Sequence, residues 1–135
     1  MKRTCFSLCV SVFALLSAPA FAGPWEDWAK GLQQKIVGQQ VVIANIERDK
    51  NTHCSAQPPT KRQVCVFAYD DVISRANVST AMLEALANSV ALTDAERLVL
   101  FKFISIEKQW ALNKETDEIW QGLNVLFPSQ KTSAN

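Results

Sequence analysis

His53 is the single histidine of the chain, so a Ser–His–Asp or Cys–His catalytic arrangement would have to be built around it. It stands in a polar stretch beside Cys54, which is expected to be tied to Cys65 and so withheld from service as a thiolate. An exposed loop imidazole is the simpler expectation. Metal-ligating residues are equally sparse. No H-E-x-x-H, C-x-x-C or C-x-x-C-H spacing occurs, which leaves zinc and c-type haem without their usual ligand sets. Met82 could in principle ligate a haem iron, but it falls on an apolar helical stripe and reads as core. No cofactor is expected.

Carboxylates offer the remaining route to catalysis. A small glycan hydrolase needs two acids about 5 to 9.5 Å apart in a cleft. Asp70 and Asp71 are neighbours in sequence, but on a helix adjacent side chains point about 100° apart. Asp70 is expected in solvent. Asp71 falls nearer the apolar side, between Ala68 and Val72, where pairing with Arg75 one turn on is its natural use. Glu107, Glu115, Asp117 and Glu118 alternate with Lys108 and Lys114, as a solvated face does. Glycine-rich phosphate loops are absent, with four glycines in the whole chain. The chain is therefore expected not to be an enzyme, and a cell-wall-active hydrolase stands only as a remote alternative.

Charge excludes a further class. The 14 Lys and Arg balance 13 Asp and Glu, and no basic run exceeds a dipeptide, the later one being Lys61-Arg62. Neither nucleic acid nor an anionic lipid surface would be held by so even a distribution. Nor does the start of the chain read as a permanent span. Lys2 and Arg3 precede an uncharged apolar run from Cys5 to Ala18, and Ala20-Phe21-Ala22 follows Pro19. Those are the three parts of a secretory signal peptide, with cleavage expected after Ala22. Fourteen helical residues rise only about 21 Å, short of the roughly 30 Å hydrocarbon core. Cys5 and Cys9 lie inside the run, too early for lipoprotein attachment, and should leave with the leader.

The mature chain would keep two cysteines, Cys54 and Cys65, and export to an oxidising compartment makes them one disulfide. The A-x-A site and lean basic start favour a bacterial periplasm, with secretion as the alternative. Asn77-Val78-Ser79 would be a glycosylation acceptor only in a eukaryotic pathway.

These residues must be positioned by helices, because apolar side chains recur at three-and-four spacing through most of the chain. A first helix is expected over residues 25 to about 50 through Trp25, Trp28, Leu32, Ile36, Val37, Ile43 and Ile46. Its apolar Val41-Val42-Ile43-Ala44 run suggests a central place, and Gly31 and Gly38 suggest a closely packed neighbour. Residues 51–59 read as a loop containing Cys54. Thr60 and Gln63 match a capping box that opens a second helix ending near Asn77, although Val64–Tyr69 would also suit a buried strand. Ser79 or Thr80 is expected to open a third helix through Met82, Leu83, Leu86, Ala87 and Val90. Thr93 and Glu96 open a fourth, through Val99, Phe103, Ile106 and Trp110. A break near Asn113–Thr116 would begin a fifth, carrying Trp120, Leu123 and Phe127 to Pro128.

The expectation is an all-α bundle of four or five helices over residues 23–128, with a disordered tail over 129–135. Trp28 and Trp110 are expected in its core. Export, a small rigid bundle and no catalytic constellation together point to a non-enzymatic module that binds another envelope or secreted protein, as an inhibitor, an immunity protein or a secretion accessory. Trp25, near the new terminus, is the first candidate contact, since tryptophan is enriched at binding hot spots. The second is the stapled stretch carrying Arg48, Lys50, His53, Lys61 and Arg62, which a disulfide would pre-organise. A stress-type holdase is the alternative, using Leu123, Leu126 and Phe127 as an exposable apolar surface.

Overall fold

The computed structural model describes residues 23–130. The expected leader over 1–22, with Cys5 and Cys9, and all but the first two residues of the expected tail lie outside them. The described residues form an all-α fold closed by the Cys54–Cys65 disulfide. Three long helices carry the body: α1 (Pro24–Ser55), α2 (Pro59–Asn88) and α4 (Ile106–Leu126). A short 3-10 turn, Ser89–Ala91, and the ten-residue α3 (Asp94–Phe103) link α2 to α4.

Fewer long helices form than the spacing predicts, for one recurring reason. Ser79 and Thr80, expected to start a helix, sit buried in the middle of α2. The Thr80 hydroxyl donates to the Ala76 carbonyl at 3.0 Å. Thr116, expected at a break, lies inside α4 and donates to Leu112 O at 2.6 Å. A hydroxyl that bonds the carbonyl of the preceding turn continues a helix instead of capping one. Thr60 likewise makes no cap. α2 opens at Pro59, whose fixed φ and missing N–H suit a first-turn position. The Thr93–Glu96 capping box does form, with Glu96 N donating to Thr93 Oγ1 and Thr93 N to Glu96 Oε2.

An interruption falls where periodicity gives no sign of one. Ile104 turns to extended backbone (φ −125°, ψ 125°), and Ser105 caps α4 by accepting from Lys108 N. The stripe Val99–Phe103–Ile106–Trp110 is thereby split. Ile104 and Ile106 pack inward, whereas Val99, Phe103 and Trp110 face solvent, Trp110 with 69% of its surface exposed. Trp110 is thus not the core residue its spacing predicts.

α1 and α2 form an antiparallel hairpin around residues 56–58, with Cys54 in the last turn of α1, not in a loop, and Cys65 in the second turn of α2. Their Cα atoms stand 5.5 Å apart. α4 lies antiparallel on α2 and parallel to α1, in a register repeated at Gln39–Asn113 and His53–Phe127, both separated by 74 residues. α2 is therefore the central helix. α1, the expected centre, leaves Val37, Val41 and Ala44 exposed, and nothing lies within 4 Å of where a Cβ on Gly31 or Gly38 would stand.

Two apolar clusters fill the interior. The first joins Ile46, Cys54, Cys65, Tyr69, Val72, Ala76 and Phe127 at the disulfide end. The second joins Leu32, Ile36, Leu83, Leu86 and Ala87 at the other, covered by Trp28, Phe101, Ile104 and Ile106. Between them runs a polar layer.

Candidate functional site

That layer is contributed by all three long helices. Gln39 from α1, Ser79 from α2, and Gln109 and Asn113 from α4 meet at the midpoint of the bundle. Ser79 Oγ accepts from Gln109 Nε2 at 2.9 Å and from Gln39 Nε2 at 3.3 Å, and donates to Asn113 Oδ1 at 2.6 Å. Gln39 Nε2 also donates to Asn113 Oδ1. Buried amides are tolerable only when hydrogen-bonded, and here each helix supplies a partner to the others.

Above this layer α1 and α4 draw apart. Both pack chiefly on α2 and barely on each other, which leaves a groove of about 490 Å³ between them. Gln39, Gln109 and Asn113 lie on its floor side, Trp110 and Trp120 on the α4 wall, and Lys35 and Asp117 at its edges. Gly38 opens it further, because a glycine presents no side chain to the space. Trp120 is held in place by its indole N–H, which donates to Asp49 Oδ2 at 3.0 Å.

Asp49 links the groove to the disulfide end. The same oxygen accepts from Asn124 Nδ2 at 3.1 Å, and Asn124 Oδ1 accepts from the buried Tyr69 hydroxyl at 2.5 Å. Burial, and then the nearby Asp49 charge, push the Tyr69 phenol up to about 12. Both effects disfavour the phenolate, the first by desolvation and the second by like charge.

The residues singled out at the stapled end are largely engaged by the chain itself. His53 is half-buried in the last turn of α1, not exposed in a loop, and its Nδ1 lies 2.6 Å from Phe127 O. Because a carbonyl only accepts, Nδ1 carries the proton. Lys50 pairs with Asp70 at 2.7 Å, and Arg62 donates to the Ser55 and Gln57 carbonyls. Lys50 and Arg62 border a shallow 270 Å³ hollow beside Cys54. Arg48 and Lys61 remain exposed. The apolar set at the C-terminal end is divided, with Phe127 buried, Leu123 half-buried and Leu126 exposed.

Trp25 is 42% exposed, yet it is not free of the body. Its ring meets Trp28 edge-on with centroids 5.4 Å apart, and the Arg97 guanidinium sits 4.7 Å over it. Arg97 is itself buried and donates to Ser89 O, Leu92 O and Asp94. Asp71 is exposed, not half-buried, and makes the expected pair with Arg75 at 2.9 Å; Arg75 also reaches Glu115 at 3.0 Å.

Among the described residues no group of three or more His, Cys, Asp or Glu is placed to hold a metal ion, and no helix is long and apolar enough to cross a membrane. Gln39, Gln109, Asn113 and the open Trp110 are the site residues that sequence reasoning passes over. Amides within otherwise apolar helical faces were the available signal. No protein-family model matches the chain, and comparison with curated proteins and with solved structures finds no significant match.

Proposed function

We propose that the chain is an exported, non-catalytic module that binds another protein, of inhibitor, immunity or secretion-accessory type, working in the bacterial periplasm after loss of residues 1–22. The observation that carries the reading is a set of exposed apolar side chains on the outer side of α2. Val64, Phe67 and Val78 stand at 60%, 76% and 50% exposure, on the side of the helix away from Cys65, Tyr69, Val72 and Ala76. Val64, Phe67, Asp71, Ser74, Val78 and Ala81 follow the three-four alternation by which one helix receives another, with Asp71 and Ser74 as the polar positions between Phe67 and Val78. Phe67 is the natural anchor, since an aromatic ring exposed on a rigid helix offers large contact area at small entropic cost.

The occupant this face suits is an amphipathic helix of a partner protein, with apolar side chains on Val64, Phe67 and Val78 and a polar or basic one opposite Asp71. The Cys54–Cys65 pair supports the compartment, because disulfides persist where conditions are oxidising. A crosslinked pull-down with tagged protein from an envelope extract, run beside a Phe67→Asp variant, tests the reading. One partner captured at near-equal amount by the natural chain and lost with the variant, whose circular dichroism is unchanged, is the expected result. Equal capture by both chains removes this face, and capture of many weak partners moves the assignment to a holdase.

A further inference from the structure

We propose that the groove between α1 and α4 is a binding site for an uncharged saccharide, independent of the protein contact on the outer face of α2. The warrant begins with unspent hydrogen-bonding atoms. The polar layer uses Gln39 Nε2, Gln109 Nε2 and Asn113 Oδ1. Gln39 Oε1, Gln109 Oε1 and Asn113 Nδ2 take part in none of its bonds. Gln109 is only 2% exposed and Gln39 only 8%. Among the described residues, no fully enclosed side-chain polar atom lacks a partner. The three atoms therefore keep some contact with solvent, and all three residues line the groove.

The chemistry of the walls narrows the ligand. The floor holds two acceptors and one two-proton donor, and no charge. An ion placed there would give up hydration with no counter-charge at the floor, while Lys35 and Asp117 at the edges offset each other. Hydroxyl groups answer a mixed donor and acceptor set well, because each can donate and accept and its proton rotates to suit. A flat heteroaromatic would need its donors and acceptors matched along one coplanar edge, whereas these amides come from two helices. The remaining requirement is an apolar surface for the indoles of Trp110 and Trp120, which the C–H face of a sugar ring supplies. A mostly apolar concavity with few convergent polar groups, at about 490 Å³, lies within the usual range for small-ligand sites.

Gly38 supplies a test that spares the fold. Its place on α1 is helical, and nothing lies within 4 Å of an added Cβ, so Gly38→Leu sends its side chain into the groove that Gly38 lines. The purified protein would be titrated with N-acetylglucosamine, its β-1,4-linked disaccharide, glucose and maltose, following the indole N–H resonances. Adenosine and hexanoate form parallel arms. A saturable shift of the Trp110 and Trp120 signals by at least one saccharide is expected, with Trp25 unmoved. Gly38→Leu and Trp110→Ala should each weaken it by roughly tenfold or more, while thermal unfolding shows both variants folded. The proposal is overturned if no saccharide gives a saturable shift, if adenosine or hexanoate binds more tightly, or if Gly38→Leu binds as the natural chain does.

Discussion

Nδ1 of His53 lies 2.6 Å from the carbonyl oxygen of Phe127, joining the last turn of α1 to the residue that ends α4 across 74 positions of sequence. Gln57 reinforces the closure by donating to Pro128 O at 2.9 Å and to His53 O at 3.0 Å. The Phe127 ring, 5% exposed, fills the space beside the disulfide cluster. His53→Leu should cost about 1 to 2 kcal/mol, the loss of one hydrogen bond with its acceptor left part-buried. Phe127→Ala should cost about 3 to 5 kcal/mol, because it also opens a cavity. Urea unfolding of both variants measures the two terms. A neutral His53→Leu would show that the imidazole merely rests against the carbonyl.

The disulfide acts on the same end. Cys54 and Cys65 are separated by 11 positions, so their bond closes a short loop in the unfolded chain. On the chain-entropy estimate a loop of this size contributes about 3 kcal/mol. Cys54→Ser should lower stability by that order and expose one titratable thiol on unfolding. Unchanged unfolding under reducing and non-reducing conditions would contradict it.

Helical class and the disulfide were legible because both rest on local rules. Three-and-four spacing marks a helix wherever it falls, and two cysteines in a chain expected to be exported have one partner each. Helix boundaries were less legible, because Ser, Thr and Asn serve two purposes. Thr93 caps a helix through its neighbour's backbone N–H, whereas Thr80 and Thr116 bond backward and continue one. Only the surrounding packing decides between them, and both Thr80 and Thr116 are buried. The groove was hidden for a related cause. Gln39, Gln109 and Asn113 lie far apart in sequence, and their meeting depends on the parallel register of α1 and α4.

The split stripe after α3 yields a contrast between two residues with similar sequence credentials. Leu86 is 1% exposed in the second apolar cluster, and Leu86→Ala should cost about 2 to 5 kcal/mol. Trp110 stands at 69% exposure, and Trp110→Ala should stay within about 0.5 kcal/mol. Trp25→Ala falls between them at about 1 kcal/mol, since it loses the Arg97 and Trp28 contacts. Thermal or urea unfolding orders the three. A Trp110→Ala loss comparable to that of Leu86→Ala would place the indole in the core and close the groove.

Tyr69 gives the sharpest dependence on pH, and it is the only tyrosine in the chain. In the folded protein its phenol is raised from 10.0 to about 12, by burial first and the Asp49 charge second. Below the unfolded value both states keep the proton, so the contribution is fully present. Above it the unfolded chain ionises while the folded chain does not, and stability falls by up to about 1.4 kcal/mol per pH unit until the folded phenol also titrates. Near-ultraviolet absorbance should therefore show a phenolate midpoint near 12 in the native protein. Lysines titrate in the same window, so Tyr69→Phe is the proper reference. That variant loses the bond to Asn124 and should be less stable by a constant amount below pH 10, but the gap should narrow as pH rises further. A native phenol that titrates at its ordinary value, or a gap that does not change with pH, would remove the Tyr69–Asn124–Asp49 chain from the energetics of the fold.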